Sequence, residues 1–189
     1  MFQGSTNLKF FKRLNIYKNS TGTVEYNPET RQGRSYRWTF LAPINGILVF
    51  NEYKWSPTTS GHQSAVRSVL KDQSYIVVDA GTDSPLNFSK TTTEKLFKKL
   101  IEKQVEIELA RSKNSKTHGW RVSQYNSMTE NLKKIESIKG LKISQKRKNE
   151  IIKEVYDSVF DDLNEKASEK NFKTLLLEEA ETNLNPIEL

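Results

Sequence analysis

Residues 34–55, RSYRWTFLAPINGILVFNEYKW, carry the strongest local signal in this chain of 189 residues. Two runs rich in aromatic and β-branched residues flank Asn45-Gly46, a preferred pair for the two-residue turn of a β-hairpin. We therefore expect an antiparallel sheet built around a 34–55 hairpin. A turn at Asn45-Gly46 also sets the register, which opposes Phe40 to Asn51, Trp38 to Tyr53 and Tyr36 to Trp55.

Strand alternation would place these six residues on one face of the hairpin, and five of the six are aromatic. Such a face suits either a hydrophobic core or a platform on which unpaired bases stack. The opposite face would bring Arg37 beside Lys54, two like charges that repel each other unless an anion lies between them. Arg37 and Lys54 are therefore candidate contacts to an anionic partner.

Capping and periodicity predict the elements around the hairpin. The segment 7–18 suits a strand or a short helix, and a short strand is expected at 23–26. Ser60 and Gln63 form a capping box that opens a helix at 61–72, and an apolar strand follows at 74–79. A second capping box predicts a helix at 91–103. Alternation at 104–111 favours a strand paired with 120–125, although the same apolar residues also have helical spacing.

The C-terminal part of the sequence has helical periodicity throughout. Ser127 and Glu130 form a third capping box, Gly140 suits a helix stop, and Ser144 is placed to cap a long helix. These patterns predict an α+β fold, with an α+β domain at 1–126 and a helical region at 127–189. The helical region would be an αα-hairpin whose long acidic helix covers 145–180.

Composition excludes several classes of site. The chain has no Cys, which excludes disulfides, thiol nucleophiles and thiolate metal sites, and its two His are too few for an all-His metal site. No nucleotide-binding loop, dinucleotide fingerprint or zinc signature occurs. We assign no catalytic residue, metal or cofactor, and the absence of a long apolar run predicts a cytoplasmic protein without a membrane segment.

The net charge of +7 conceals a strong separation of charge. Residues 1–40 carry +5, and 111–148 carry +9 from eleven Lys and Arg against two Glu. Residues 149–189 carry −7. Basic segments followed by an acidic end are typical of proteins that bind nucleic acid, although an acidic helix can also pack on a basic protein surface.

The favoured function is therefore non-enzymatic binding of DNA or RNA, with the acidic helix contacting a protein partner. The residues expected to neutralise nucleic-acid phosphates are Arg34, Arg37, Lys54, Lys113, Lys116, Arg121, Lys146, Arg147 and Lys148. The interpretation of 58–63 as a helix start adds a candidate phosphate site, because free amides at a helix N-terminus bind anions. Its residues are Ser60, Gly61, His62 and Arg67.

Two other functions stay open at this point. The long helix suits self-association in a virion or another assembly, and the Lys-, Asn- and Ile-rich composition is associated with AT-rich genomes such as those of phages. Alternatively, Glu52-x-Lys54 resembles the second half of the PD…(D/E)xK pattern of metal-dependent nucleases. No Asp precedes Glu52, so Asp79 would have to complete such a site.

Overall fold

The computed structural model describes residues 7–12, 14–70, 73–110 and 116–164, with side chains to Val159. The chain forms two compact units, residues 1–89 and 90–189. Within the described residues, the first unit contains a sheet and one α-helix, and the second contains three helices. The α+β class is therefore confirmed.

In the part of the first unit that the structure describes, the sheet has seven strands that lie side by side in chain order. Its first six strands form an antiparallel meander, whereas the seventh pairs parallel to the sixth. A parallel pair needs a crossover, and helix α1 (Pro57–Leu70) supplies it. The strands are β1 (Lys9–Phe11), β2 (Ile16–Lys18), β3 (Val24–Asn27), β4 (Gln32–Ser35), β5 (Trp38–Ile44), β6 (Ile47–Asn51) and β7 (Ile76–Val78).

The Asn45-Gly46 turn is confirmed. Both residues have positive φ, 46° and 86°, and Leu41 pairs with Phe50 in the expected register. The hairpin is shorter than expected, because the chain turns at residues 36 and 37 and Ser35 of β4 pairs with Trp38 of β5. The expected cross-strand pairs of Tyr36 with Trp55 and of Arg37 with Lys54 are therefore wrong.

Helix α1 covers one face of the sheet, over β3 and β4. Its Val66 lies so close to β4 that a Cβ on Gly33 would be 3.1 Å from Val66 Cγ1. The helix begins one turn earlier than expected, because the Ser56 hydroxyl accepts a hydrogen bond from the Thr59 amide at 3.1 Å. The interpretation of Ser60 as the N-cap is therefore wrong.

The other face of β5 and β6 is covered too. Ala42 and Val49 pair with each other, are fully buried, and point away from the face that carries Leu41 and Phe50. A 3₁₀ helix (Pro85–Asn87) contacts both strands. Strands β5 and β6 therefore pack against α1 on one face and against the 3₁₀ helix on the other.

The second unit consists of α2 (Lys90–Glu108), α3 (Lys116–Glu136) and α4 (Gln145–Asn164), with α2 packed against both other helices. The expected strand at 104–111 is wrong, because α2 continues to Glu108. A helix between two neighbours buries a wide arc, so Gln104, Val105 and Ile107 are all buried, whereas Glu106 is exposed. The buried residues Val105 and Ile107 are two positions apart, which is also the spacing of residues on one face of a strand.

Helix α3 is continuous through Ser127, so a helix start at this residue is wrong. The domain boundary suggested at 126/127 lies within this helix. Gly140 has a φ of 88° in the following turn, and the Ser144 hydroxyl accepts a hydrogen bond from the Arg147 amide at 3.3 Å, as expected of the cap of α4. Residues 165–180 of the expected long helix lie outside the described residues.

Among the helices of the described ranges, none combines the length and the apolar character that crossing a membrane requires.

Candidate functional site

We use the name aromatic patch for three aromatic residues of the first unit: Trp38 and Trp55, whose rings are in contact, and Tyr36, which lies two residues before Trp38 in the chain. The rings of Trp38 and Trp55 meet edge to face, with centroids 6.0 Å apart and planes at 63°. Tyr36 is 58% exposed and Trp55 is 57% exposed, whereas Trp38 is half-buried. Of the six residues expected on one face of the hairpin, Phe40 and Asn51 are core residues and these three reach the surface.

Tyr36 lies in the tight turn between β4 and β5, with a φ of 52°. Its amide donates to the carbonyl of Thr23, and its ring contacts the imidazole of His62 at a centroid distance of 5.4 Å. The Nδ1 atom of His62 in turn shares a 2.7 Å hydrogen bond with the Ser35 hydroxyl. The exposed ring of Tyr36 therefore packs against a buried, hydrogen-bonded histidine.

Trp38 is held from two sides. Its indole Nε1 donates to the carbonyl of Thr82 at 3.1 Å, and its ring packs against Phe40 with centroids 5.7 Å apart. Phe40 is itself fully buried. Trp38 is thus fixed to the core, and it gives Trp55 a rigid neighbour.

Asn51, at the end of β6, organises the loops beside the patch. Its fully buried side-chain amide donates to the carbonyls of Gly81 at 2.9 Å and Asp83 at 2.7 Å. Its Oδ1 accepts from the amides of Ala80 and Tyr53. These bonds connect the loop that carries Trp55 to the loop that holds Trp38.

Gln63 of α1 adds a second connection to the same place. Its Nε2 donates to the carbonyls of Asn51 at 2.9 Å and Tyr53 at 3.2 Å. Sequence patterns placed Gln63 in a capping box and Asn51 on an aromatic face, so the polar network formed by these two residues was missed. The one sequence signal for this network was Asn51, a polar residue at the end of the otherwise apolar strand β6.

Two cations are adjacent in the sequence to residues of the aromatic patch. Arg37 is next to both Tyr36 and Trp38 in the chain, and Lys54 precedes Trp55. Both side chains are exposed, and neither forms an ion pair with any residue that the structure describes. The Trp38–Trp55 contact therefore brings the segments carrying both positive charges to one place on the first unit, although not through strand pairing.

The other cations predicted in the first unit are neutralised. Arg34 pairs with Glu25 at 2.7 Å, and Arg67 pairs with Glu52 at 3.4 Å while its guanidinium lies over the Phe50 ring. These contacts stabilise the sheet and its covering helix.

Three of the basic residues predicted in the second unit also form ion pairs. Arg147 contacts Glu94, Glu150 and Glu154 at 2.8–3.3 Å, and the hydrogen bonds to Glu154 and Glu94 raise the pKa of its guanidinium. Arg121 pairs with Glu106 at 3.0 Å, and Lys148 pairs with Glu136 at 2.7 Å. Lys116 and Lys146 are exposed, and Lys113 lies outside the described residues.

The candidate phosphate site at Ser60, Gly61 and His62 lies within α1, not at its start. The Ser60 amide donates to the Ser56 carbonyl at 3.0 Å, as in any helix interior. His62 is buried, and this burial lowers the pKa of its imidazole. The structural feature that suggested a phosphate site, a set of free helix amides at Ser60, is therefore absent from this position.

Two residues of the alternative nuclease site, Glu52 and Asp79, directly follow the neighbouring strands β6 and β7. The Glu52 amide donates to the carbonyl of Val78, which precedes Asp79, at 2.8 Å. The Glu52 carboxylate contacts Arg67, and the Asp79 carboxylate accepts from the Gly81 amide. Within the described ranges, no group of three or more His, Cys, Asp or Glu is arranged to hold a metal ion.

The part of the expected helix 145–180 that the structure describes packs inside the second unit. Val155 and Tyr156 of α4 are buried, and the Tyr156 hydroxyl donates to Glu108 at 3.2 Å. A further apolar group of the same expected helix, at 172–177, lies outside the described residues. Self-association through the whole of 145–180 thus stays a prediction.

In comparisons with known proteins, no family model, no curated protein and no solved structure matches this chain.

Proposed function

We propose that this protein binds nucleic acid through the aromatic patch and its two flanking cations, Arg37 and Lys54. The observation that carries the proposal is the exposure of Tyr36 and Trp55 beside unneutralised positive charge. Aromatic faces stack on bases, and cations beside them neutralise phosphates. A cytoplasmic location, and a protein partner for the acidic C-terminal segment, stay predictions.

The supports beneath the patch favour a binding role. Trp38 is hydrogen-bonded to Thr82, Tyr36 stands on His62, and the loop before Trp55 is held by Asn51. Rings fixed in this way lose little conformational freedom when a ligand arrives, so less of the binding free energy is spent on ordering the site.

The proposal narrows the set of phosphate contacts expected from charge alone. Arg34, Arg121, Arg147 and Lys148 already have carboxylate partners, so using them would require breaking ion pairs. Arg37 and Lys54 form no ion pair with any described residue, so no ion pair has to be broken before they contact a phosphate. Lys116 and Lys146 are exposed too, but they belong to the second unit, whereas Arg37 and Lys54 belong to the first unit with the aromatic patch. We therefore assign the principal phosphate contacts to Arg37 and Lys54.

Salt dependence tests the proposal directly. Anisotropy of a labelled, mixed-sequence oligonucleotide would give the affinity at several salt concentrations between about 50 and 200 mM. Each lost phosphate contact is expected to reduce the slope of log affinity against log salt by about 0.7–0.9. The double variant Arg37→Gln/Lys54→Gln should therefore lower both the slope and the low-salt affinity.

Lys153→Gln is the matched control, because Lys153 is an exposed lysine of α4. It should leave the slope unchanged. Absence of binding by the wild type at low salt would overturn the proposal. So would a double variant that binds with the wild-type affinity and slope.

A further inference from the structure

We infer that the aromatic patch selects unpaired nucleotides, with one base stacked on Tyr36 and a second on Trp55. This inference rests on the proposed function and deepens it, because it names the class of nucleic acid: a single strand rather than a duplex. The shared ligand chemistry is an exposed base next to a phosphate, which single-stranded DNA and single-stranded RNA both supply.

The Tyr36 ring is supported by a buried residue and is largely exposed. His62 contacts the ring at a centroid distance of 5.4 Å, and more than half of Tyr36 is open to solvent. A ring that is supported in this way and still exposed can stack one planar group. Bases inside a duplex already stack on the bases above and below them, so only an unpaired base has a face available for stacking on the Tyr36 ring.

Trp55 provides the second open ring. Its contact with Trp38 is edge to face, at 63°, so the two indoles form no parallel slot into which a base could insert. Trp38 therefore supports Trp55 from the side, while the exposed part of Trp55 stays available for stacking. One base on Tyr36 and one on Trp55 use both exposed rings.

The backbone at Tyr36 supports a role for the side chain in binding. A φ of 52° favours Gly or Asn, and a bulky aromatic residue there is strained. A turn needed only for folding would be better served by Gly. Strained residues in tight turns cluster at ligand-binding positions, and Tyr36 combines a strained backbone with an exposed ring.

The charges fit the same occupant. Arg37 lies between Tyr36 and Trp38 in the chain, and Lys54 immediately precedes Trp55, so each exposed ring has a cation next to it in the sequence. A single strand has a phosphate next to every base. An uncharged aromatic ligand would leave Arg37 and Lys54 without partners, whereas a nucleotide strand satisfies rings and cations together.

The experiment compares four labelled ligands of equal length on the full chain: single-stranded DNA, single-stranded RNA, the matched duplex, and a DNA strand with consecutive abasic sites at its centre. Both single strands should bind more tightly than the duplex. The loss of one stacked base is expected to weaken binding by about 5- to 150-fold. The abasic strand should therefore bind more weakly than the intact strand, although its phosphates are the same.

Each failure has a separate meaning. Equal affinity for duplex and single strand would overturn the selection of unpaired nucleotides and leave the proposed function standing. Equal affinity for intact and abasic strands would overturn base stacking. Absence of binding to all four ligands at low salt would overturn both the inference and the proposed function.

Variants locate the stacking. Trp55→Ala should weaken single-strand binding by about 5- to 150-fold, and Trp55→Phe should restore part of the loss because a ring remains. Trp120→Ala is the matched control, since Trp120 is 59% exposed but lies on α3 in the second unit. Wild-type single-strand affinity in Trp55→Ala would overturn the assignment of the second base to Trp55, and an equal loss in Trp120→Ala would overturn the assignment to this patch.

Discussion

The imidazole of His62 and the hydroxyl of Ser35 share a buried hydrogen bond of 2.7 Å that connects α1 to β4. The same imidazole also contacts the exposed ring of Tyr36. A core interaction and a surface feature are thus connected through one histidine. The position of Tyr36 should therefore depend on the protonation state of His62.

Stability should fall in mildly acidic solution because of His62. Its pKa is lowered by burial in the folded protein, so the unfolded chain binds the proton more readily. This contribution is fully present above the ordinary pKa of 6.5 and is lost as pH falls below it toward the folded pKa. Urea unfolding from pH 7.5 downward would measure it, with His62→Gln as control. An unchanged pH dependence in that variant would contradict the prediction.

Tyr36→Gly should separate stability from binding. The substitution removes left-handed strain of about 1 kcal/mol and also removes a ring contact of similar magnitude, so the free energy of unfolding should change little. Single-strand affinity should nevertheless fall by about 5- to 150-fold, because the stacking surface is lost. Thermal unfolding and anisotropy on the same samples would measure both. A stable variant with wild-type affinity would contradict the role of Tyr36.

Gly33→Ala should destabilise the first unit. A Cβ at this position would be 3.1 Å from Val66 Cγ1 and 3.2 Å from Leu41 Cβ, so α1 would have to move away from β4. Overpacking of this kind costs about 1–3 kcal/mol. The double variant Gly33→Ala/Val66→Ala should lose less stability than the sum of the single variants, since Val66→Ala removes the obstructing methyl. Additive losses in urea unfolding would refute the steric explanation.

Asn51→Ala should be more destabilising than an ordinary surface substitution. It leaves the partly buried carbonyls of Gly81 and Asp83 without their amide donor, for which a loss of about 1–3 kcal/mol is expected. Asn87→Ala, at an exposed position of the 3₁₀ helix, is the matched control and should change stability by less than about 0.5 kcal/mol. Similar unfolding free energies for the two variants would show that the Asn51 network is dispensable.

Lys148→Ala should affect the fold of the second unit more than nucleic-acid binding. Lys148 pairs with Glu136 at 2.7 Å, and both side chains are largely buried, so removal leaves a carboxylate poorly compensated. We expect a loss of about 1–3 kcal/mol in unfolding free energy, against less than about 0.5 kcal/mol for exposed Lys146→Ala. If Lys148→Ala instead lowered affinity at unchanged stability, the interface would have to include α4.

Local turn chemistry explains which parts of the fold were predictable. Asn45-Gly46 favours positive φ at both positions, so the turn and the register of Leu41 with Phe50 followed from two residues. The cap at Ser144 was predictable for the same reason, since its hydrogen bond spans three residues. The turn at Tyr36 was not predictable, because neither Tyr36 nor Arg37 is a residue that tight turns prefer.

Contacts between distant residues decided the rest. Val105 and Ile107 alternate as in a strand, and only burial between two neighbouring helices makes this stretch helical. Arg147 reads in sequence as a free cation at a helix start, yet Glu94, 53 residues away, neutralises it. Charge counted along the chain therefore overestimated the basic surface of the second unit.

By itself the sequence determined the α+β class, the central hairpin and the presence of rings and cations in residues 36–55, because these depend on local propensity and composition. Only the tertiary structure decided which rings are core and which are surface. Phe40 and Asn51 are buried because α1 and the 79–89 segment cover them, whereas Tyr36 and Trp55 lie beyond that cover. Exposure and charge neutralisation depend on the neighbours that folding brings, and these neighbours define the proposed binding site.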